Sequence, residues 1–453
     1  MPQGISSLWN RIPSAWRFAL AAFLVARLAL TLWSFVVYWI FPAALQNLDL
    51  FGEPALTVFD LRTSERYAYS RTVGETTLSF RTLDDQFMAD DQTGSVWSMR
   101  EGRAIQGNYA GTSLKPSAYA AEKIFPYLGV KPAKNIALSL WQRFDANWYL
   151  KIAERGYEAD GSTVYFPAYP FLIKALASFM DPMFAALLVS NLSLIGALGL
   201  LHQLTASIMA EDAARRTIVY LLLFPTAFFL LSAYTESLFL FFVLASLFAA
   251  SRGRWGWSVF WGMFSSLTRL QGVLLVVPLA WLMRRETKGL ALRAKLARFA
   301  SLALIPLATA SFLAFTNLSL ISTYEGTLRA RFVSPWGNIL ASLALLSGGG
   351  GGIVDALNLV FTLGLIAMMF PIWRKLPVEY FLYSILMLVA PMLRMTTTQP
   401  LVSMMRYALA IFPAFMVFGL WGGNKGVNRV IMYLSLSLQL YLSAQFILWG
   451  WVG

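Results

Sequence analysis

The chain of 453 residues is 58% hydrophobic, 15% aromatic and only 13% charged, and its mean hydropathy of +0.59 excludes an ordinary water-soluble domain. It has no cysteine, which removes disulfides, thiol catalysis and thiolate metal sites, and its lone histidine, His202, excludes a multi-histidine metal centre. The net charge of +13 does not point to nucleic acid, because the basic residues sit in short clusters between apolar runs, where the positive-inside rule places topology signals.

Arg11 and Arg17 precede an apolar run from Trp16 to about Phe41, too long for a cleavable signal and expected to be a retained first span after a cytoplasmic stub, together 1–42. Arg27 interrupts it. The only long polar segment follows, 43–140. Within it "LTVFDLRTSERYAYSRTVGETTLSFRTLDDQF" alternates Thr, Val, Tyr and Phe with polar residues, which predicts a β-rich insertion outside the bilayer. The paired aspartates of "DDQFMADDQTG" lack EF-hand spacing and read as a solvated turn.

"WQRFDANWYLKIAERGY" (141–157) predicts an amphipathic helix with an anomaly. At ~100° per residue Asn147, Lys151, Glu154 and Arg155 share an arc, yet Asp145 falls between Ile152 and Tyr149 on the apolar side. Asp145 is either a helix N-cap or a functional carboxylate held partly out of water. "YFPAYPFLIKALASFM" (165–180) is expected to be re-entrant or interfacial, making 141–180 an external catalytic loop.

From 181 onward apolar runs dominate, and 181–453 is expected to be a multi-span domain. Several runs fall short of the ~20 residues a straight crossing needs, and pairs such as 216–232 with 234–250 and 255–269 with 271–285 can form tight hairpins. The glycines at 348–352 predict a flexible hinge, and no internal repeat is visible. With a cytoplasmic N-terminus, the clusters Arg215/Arg216, Arg252/Arg254, 284–298, Arg374/Lys375 and Lys425/Arg429 all fall inside. The fold class is therefore a polytopic α-helical membrane protein with about 11 transmembrane helices and a large β-containing first external loop.

In that topology the tips "SAYTESLF" and "LTRLQG" and the segments "TYEGTLRARFVSPWG" and "LVSMMRYALAIFP" converge with 43–180 on the outer side. They bring Glu236, Arg269, Arg329, Arg331 and Arg406, charges whose placement in or beside apolar runs costs ~2.5–3.5 kcal/mol each on insertion scales. Glu236 can simply meet the positive end of its helix behind Thr235, and Arg269 can pair with it structurally. Transfer of a sugar from a lipid phosphate to a hydroxyl needs a general base and cations where the departing phosphate gathers charge, and this set contains both. A monophosphate leaving group can be met by arginines, so neither metal nor cofactor is expected, and the few isolated acids do not make an octahedral site.

"RFDANWYLKIAERGY" followed by "YFPAYPFLI" resembles motifs of the GPI mannosyltransferase II (PIG-V) family of the GT-C glycosyltransferases. "VSNLSLIGALGLL", "FPTAFFLLSAYTESLFLFF", "LTRLQGVLLVVP", "PWG" and "MRYALAIFP" look like further blocks in the same order, and Arg27 matches a position where such proteins often carry arginine. The resemblance implies a GT-C-like fold and inverting transfer of mannose from a polyprenyl-phosphate donor, on the outer or luminal face of a plasma or endoplasmic reticulum membrane. The acceptor would be a glycan, glycolipid or protein. It implies Asp145 as catalytic base and Glu236, Arg269 and Arg406 at the acceptor and the donor phosphate. Arg27, Arg329 and Arg331 are further candidates for that phosphate, and Tyr149, Tyr165 and Tyr407 are cleft hydroxyls or interfacial belt residues. Two features depart from the family pattern: Phe144 stands where tryptophan often precedes the aspartate, and 43–140 is inserted before the motif. A flippase for a lipid-linked sugar and a non-catalytic scaffold remain the alternatives.

Overall fold

The computed structural model describes residues 12–41, 43–50, 53–61, 65–117, 127–158, 160–287, 289, 291–316, 330–396 and 399–452. They form two compact units, one of Leu30–Lys151 with Tyr441–Val452 and one of Met1–Ala29, Ile152–Leu440 and Gly453.

The first unit contains antiparallel strands β1 (Ala43–Leu50), β2 (Glu53–Asp60) and β3 (Arg66–Ser70), in that spatial order. A hairpin of β4 (Thr72–Val73) and β5 (Thr76–Thr77) follows, then a four-stranded meander of β6 (Phe80–Thr82), β7 (Phe87–Asp90), β8 (Val96–Ser98) and β9 (Ala104–Gln106). Strand β2 is buried on both faces. Leu56 and Val58 join a core with Tyr69, Phe80, Met88 and Trp97, while Phe59 points the other way to Tyr127 and Trp449, as the period of two requires. Asp90 is buried at the end of β7 and accepts from the Trp97 indole at 3.0 Å and from the Thr93 amide at 2.6 Å and hydroxyl at 2.8 Å. Burial pushes its carboxyl up, but these hydrogen bonds outweigh that and hold it below the usual carboxylate range.

The second unit is helical. Pro182–Ala206 starts with Asp181 as N-cap, whose Oδ1 accepts from Met183 N at 2.9 Å and Phe184 N at 3.0 Å, and with proline at the first position. It packs on Glu236–Ser251, which packs on Trp255–Thr268, which packs on Leu304–Thr316. Gly262 permits the last contact, since a Cβ there would lie 2.6 Å from Ile305 Cδ1. His202 is buried with Nε2 3.3 Å from Glu211. The 348–352 glycines form a short connector, capping Pro335–Ser347 at Gly348 and opening Ile353–Lys375 at Gly352.

Among the described residues five helices are long and apolar enough to cross a membrane: Ser14–Ile40, Pro182–Ala206, Leu292–Thr316, Ile353–Lys375 and Lys425–Ile447. A sixth is possible if Met404–Ala410 and Phe412–Trp421, bent by 80°, count as one. Among the described residues this is fewer than the expected 11. Pro225 interrupts the 216–232 run, leaving Glu211–Leu223 and the single turn Phe228–Leu231. Arg269 is extended and separates Trp255–Thr268 from the 3-10 turn Leu270–Leu275 and the helix Val276–Glu286. Helices of 11–16 residues reach at most ~24 Å at 1.5 Å per residue, short of a ~30 Å hydrocarbon core.

Candidate active site

The helical unit gathers three of these breaks. The first lies between Leu223 and Glu236, the second starts at Arg269, and the third runs from Gln399 to Phe412 and includes the turn Met404–Tyr407. Irregular backbone is tolerated at membrane depth only where protein satisfies it, and here polar side chains do so individually. Arg27 Nη1 donates to Leu231 O at 2.8 Å, Ser190 Oγ to Tyr234 O at 3.0 Å, and Gln439 Nε2 to Leu222 O at 2.7 Å. Thr226 Oγ1 donates to Met405 O at 2.9 Å, the Met405 amide donates to Asn358 Oδ1 at 3.1 Å, and Asn338 Oδ1 accepts from Leu401 N at 2.8 Å. Gly272 lets the second break fold tightly, since a Cβ there would collide with the backbone of Ser265 and Ser266. Leu401 and Ser403 hold positive φ of 51° and 65° in the third.

Each break contributes one charge to a buried cluster. Glu236 opens the helix Glu236–Ser251, yet Thr235 makes no side-chain cap; the carboxylate turns to the two arginines instead. Its Oε1 accepts from Arg269 Nη1 at 2.9 Å and from Arg406 Nε. The Glu236 side chain is 2% exposed, that of Arg406 6% and that of Arg269 14%, so this is an ion triad within protein, not a surface bridge. Its second oxygen, Oε2, is buried and has no hydrogen-bond partner among the described residues. The Arg406 guanidinium lies 5.0 Å from the Phe229 ring centre and 4.7 Å from that of Tyr234, and Arg269 lies 5.3 Å from that of Tyr407. Two guanidiniums share this one carboxylate, and Arg27 holds the Leu231 carbonyl within the first break.

Asp145 and Tyr149 belong to the other unit. Asp145 is the first residue of the helix Asp145–Arg155 and is half-buried, while Tyr149 is buried one turn on. The turn before them is closed by hydrogen bonds from Ala146 N to Arg143 O at 3.1 Å and from Asn147 N to Phe144 O at 3.0 Å, with Phe144 at φ +47°. Tyr165 is half-buried, and its carbonyl accepts from the Tyr157 hydroxyl at 2.8 Å. Arg331 is exposed on strand β10 (Ala330–Phe332), which pairs with β11 (Arg394–Thr396). Arg329 lies outside the described residues. No three acidic or histidine side chains converge among the described residues.

Asn338, Asn358, Gln439, Thr226 and Arg143 are further residues of these regions, and the three amides carry a local signal in the sequence, each a polar group inside an apolar run.

Residues 126–325 match the family model for mannosyltransferase (PIG-V). Over that stretch the chain is PIG-V-like. The PIG-V-like stretch includes Asp145, Tyr149, Tyr165, Glu236 and Arg269; Arg27, Arg331, Arg406 and Tyr407 lie outside it. No curated protein matches the chain. The match and the long apolar helices together support a multi-pass membrane glycosyltransferase.

Proposed function

We propose that the chain is an inverting mannosyltransferase that takes mannose from a polyprenyl-phosphate carrier, on the outer or luminal face of its membrane, and adds it to a hydroxyl of a glycan, glycolipid or protein. The Asp145 carboxylate accepts the proton of the acceptor hydroxyl. The acceptor oxygen bonds to the anomeric carbon from the face opposite the phosphate, and the carbon–phosphate oxygen bond breaks with its electron pair leaving on the polyprenyl phosphate. Arg406 and Arg269 answer the charge that gathers on the departing phosphate, Arg27 is a further cation for it, and Glu236 orients both guanidiniums while its second oxygen accepts from a sugar hydroxyl. Tyr407, under Arg269, and Tyr165 line the sugar path. The proposed reaction uses no metal or cofactor.

The observation that carries it is the Glu236–Arg269–Arg406 triad, assembled from three helix breaks and partly contained in the PIG-V-like stretch. A hydrophobic span gains nothing from such a triad, since a buried ion triad is often no more stabilising than apolar residues of the same volume.

The test is release of polyprenyl phosphate from polyprenyl-phosphate mannose by purified protein with added glycan acceptors. Asp145→Asn is expected to fold as wild type does and to lose about 10²–10⁴-fold in turnover. A folded Asp145→Asn chain that turns over at the wild-type rate removes the base assignment.

A further inference from the structure

The residue immediately before the candidate base has a backbone that phenylalanine does not choose by itself. Phe144 holds φ +47°, where a Cβ crowds the chain, and such conformations persist only when the surroundings impose them. The surroundings here are aromatic and come from the segment Tyr441–Val452 of the same unit. The Phe144 ring centre lies 5.1 Å from that of Trp451, 5.4 Å from Trp449 and 6.0 Å from Phe446. Arg143, 1% exposed, ties the turn from the other side: Nε donates to Ile447 O at 2.8 Å, Nη1 to Ser139 O at 2.6 Å, and its guanidinium lies 4.7 Å from the Trp449 ring centre. Trp449 is itself anchored, with Phe59 at 5.3 Å and Tyr127 at 5.5 Å.

We propose that Arg143, Phe144 and Trp449 are positioning residues for Asp145: the segment from Phe446 to Trp451 locks residue 144 in the left-handed conformation and thereby sets the direction of the Asp145 carboxyl. The inference rests on the reading of Asp145 as base. A general base acts over a hydrogen-bond length, so a turn that relaxes to φ below zero swings the carboxyl away without altering how donor or acceptor binds.

The lock predicts a pattern in intact, detergent-purified protein that loss of packing alone does not. Trp449→Ala is expected to lower kcat about tenfold or more with KM unchanged, and to speed amide exchange at residues 143–147. Trp449→Phe, which keeps a ring in place, is expected to retain most of the turnover. Adding Phe144→Gly to Trp449→Ala is expected to recover part of the lost kcat, because glycine occupies positive φ without an imposed environment. Unchanged exchange in Trp449→Ala overturns the lock. Unchanged kcat despite faster exchange overturns the positioning role, and so does a fall in kcat that neither Trp449→Phe avoids nor Phe144→Gly relieves. If Trp449→Ala does not fold, Trp449→Leu is compared with Trp449→Phe, and equal kcat together with equal exchange at residues 143–147 in the two overturns the lock. A wild type that releases no polyprenyl phosphate defeats the base assignment separately, and exchange at 143–147 then decides whether the lock exists.

Discussion

Glu236 is held by two guanidiniums through one oxygen, and that arrangement makes it hard to replace. Glu236→Ala removes the carboxylate that holds Arg406, whose side chain is 6% exposed, and breaking a buried pair costs about 3–5 kcal/mol. The variant is expected to unfold at a distinctly lower temperature in detergent. Removing all three charges, as Glu236→Leu with Arg269→Met and Arg406→Met, is expected to recover part of the loss, because apolar groups are cheaper to bury than charges deprived of their counterion. Melting curves of the single and triple variants check this, and a triple variant less stable than the single one contradicts it. At this scale Glu236 was legible in the sequence as the only charge between Thr217 and Ser251. Arg269, 33 residues away, was legible as a pairing candidate, whereas Arg406, 170 residues away, was not, since only folding brings it to the same carboxylate.

The helix breaks show which elements the sequence made visible. Pro225 makes the first break through its missing amide and its effect on Phe224, although 216–232 reads in sequence as one apolar run, whereas the second has no proline at Arg269 and is set by the packing that Gly272 allows. The sheet elements are similar: the alternation in 53–60 gives a strand, but its burial on both faces depends on Trp449 and Tyr127, distant in sequence. The meander carries its own prediction. Asp90 has a folded carboxyl held below its unfolded value, so its contribution is full above the unfolded value of ~3.9 and is lost as pH falls through the folded one. Asp90→Asn is expected to cost about 1.5–3 kcal/mol at pH 7, as for hydrogen bonds to a charged group. The gap in melting temperature from wild type is expected to narrow as pH drops below about 4. A gap independent of pH contradicts the role of the charge.

Over the whole molecule the chain is a multi-pass membrane protein whose basic clusters predict one orientation. Because it has no cysteine, single cysteines report sidedness cleanly. Glu75→Cys, exposed next to the β4–β5 hairpin, is expected to react with an impermeant maleimide on intact cells, and Arg254→Cys, exposed in a basic cluster, only after permeabilisation. The reverse pattern overturns the orientation. The sequence by itself determined the membrane class, the strand-forming insertion and the acids and arginines that candidate chemistry needs, because hydropathy, alternation and the cost of a charge in an apolar run are local properties of a chain. The tertiary structure alone decided which apolar runs stay long enough to cross, which arginines share Glu236 and what imposes the turn before Asp145. Each of those depends on side chains tens to hundreds of residues apart satisfying one another's backbone and charge, and no local pattern encodes such pairings.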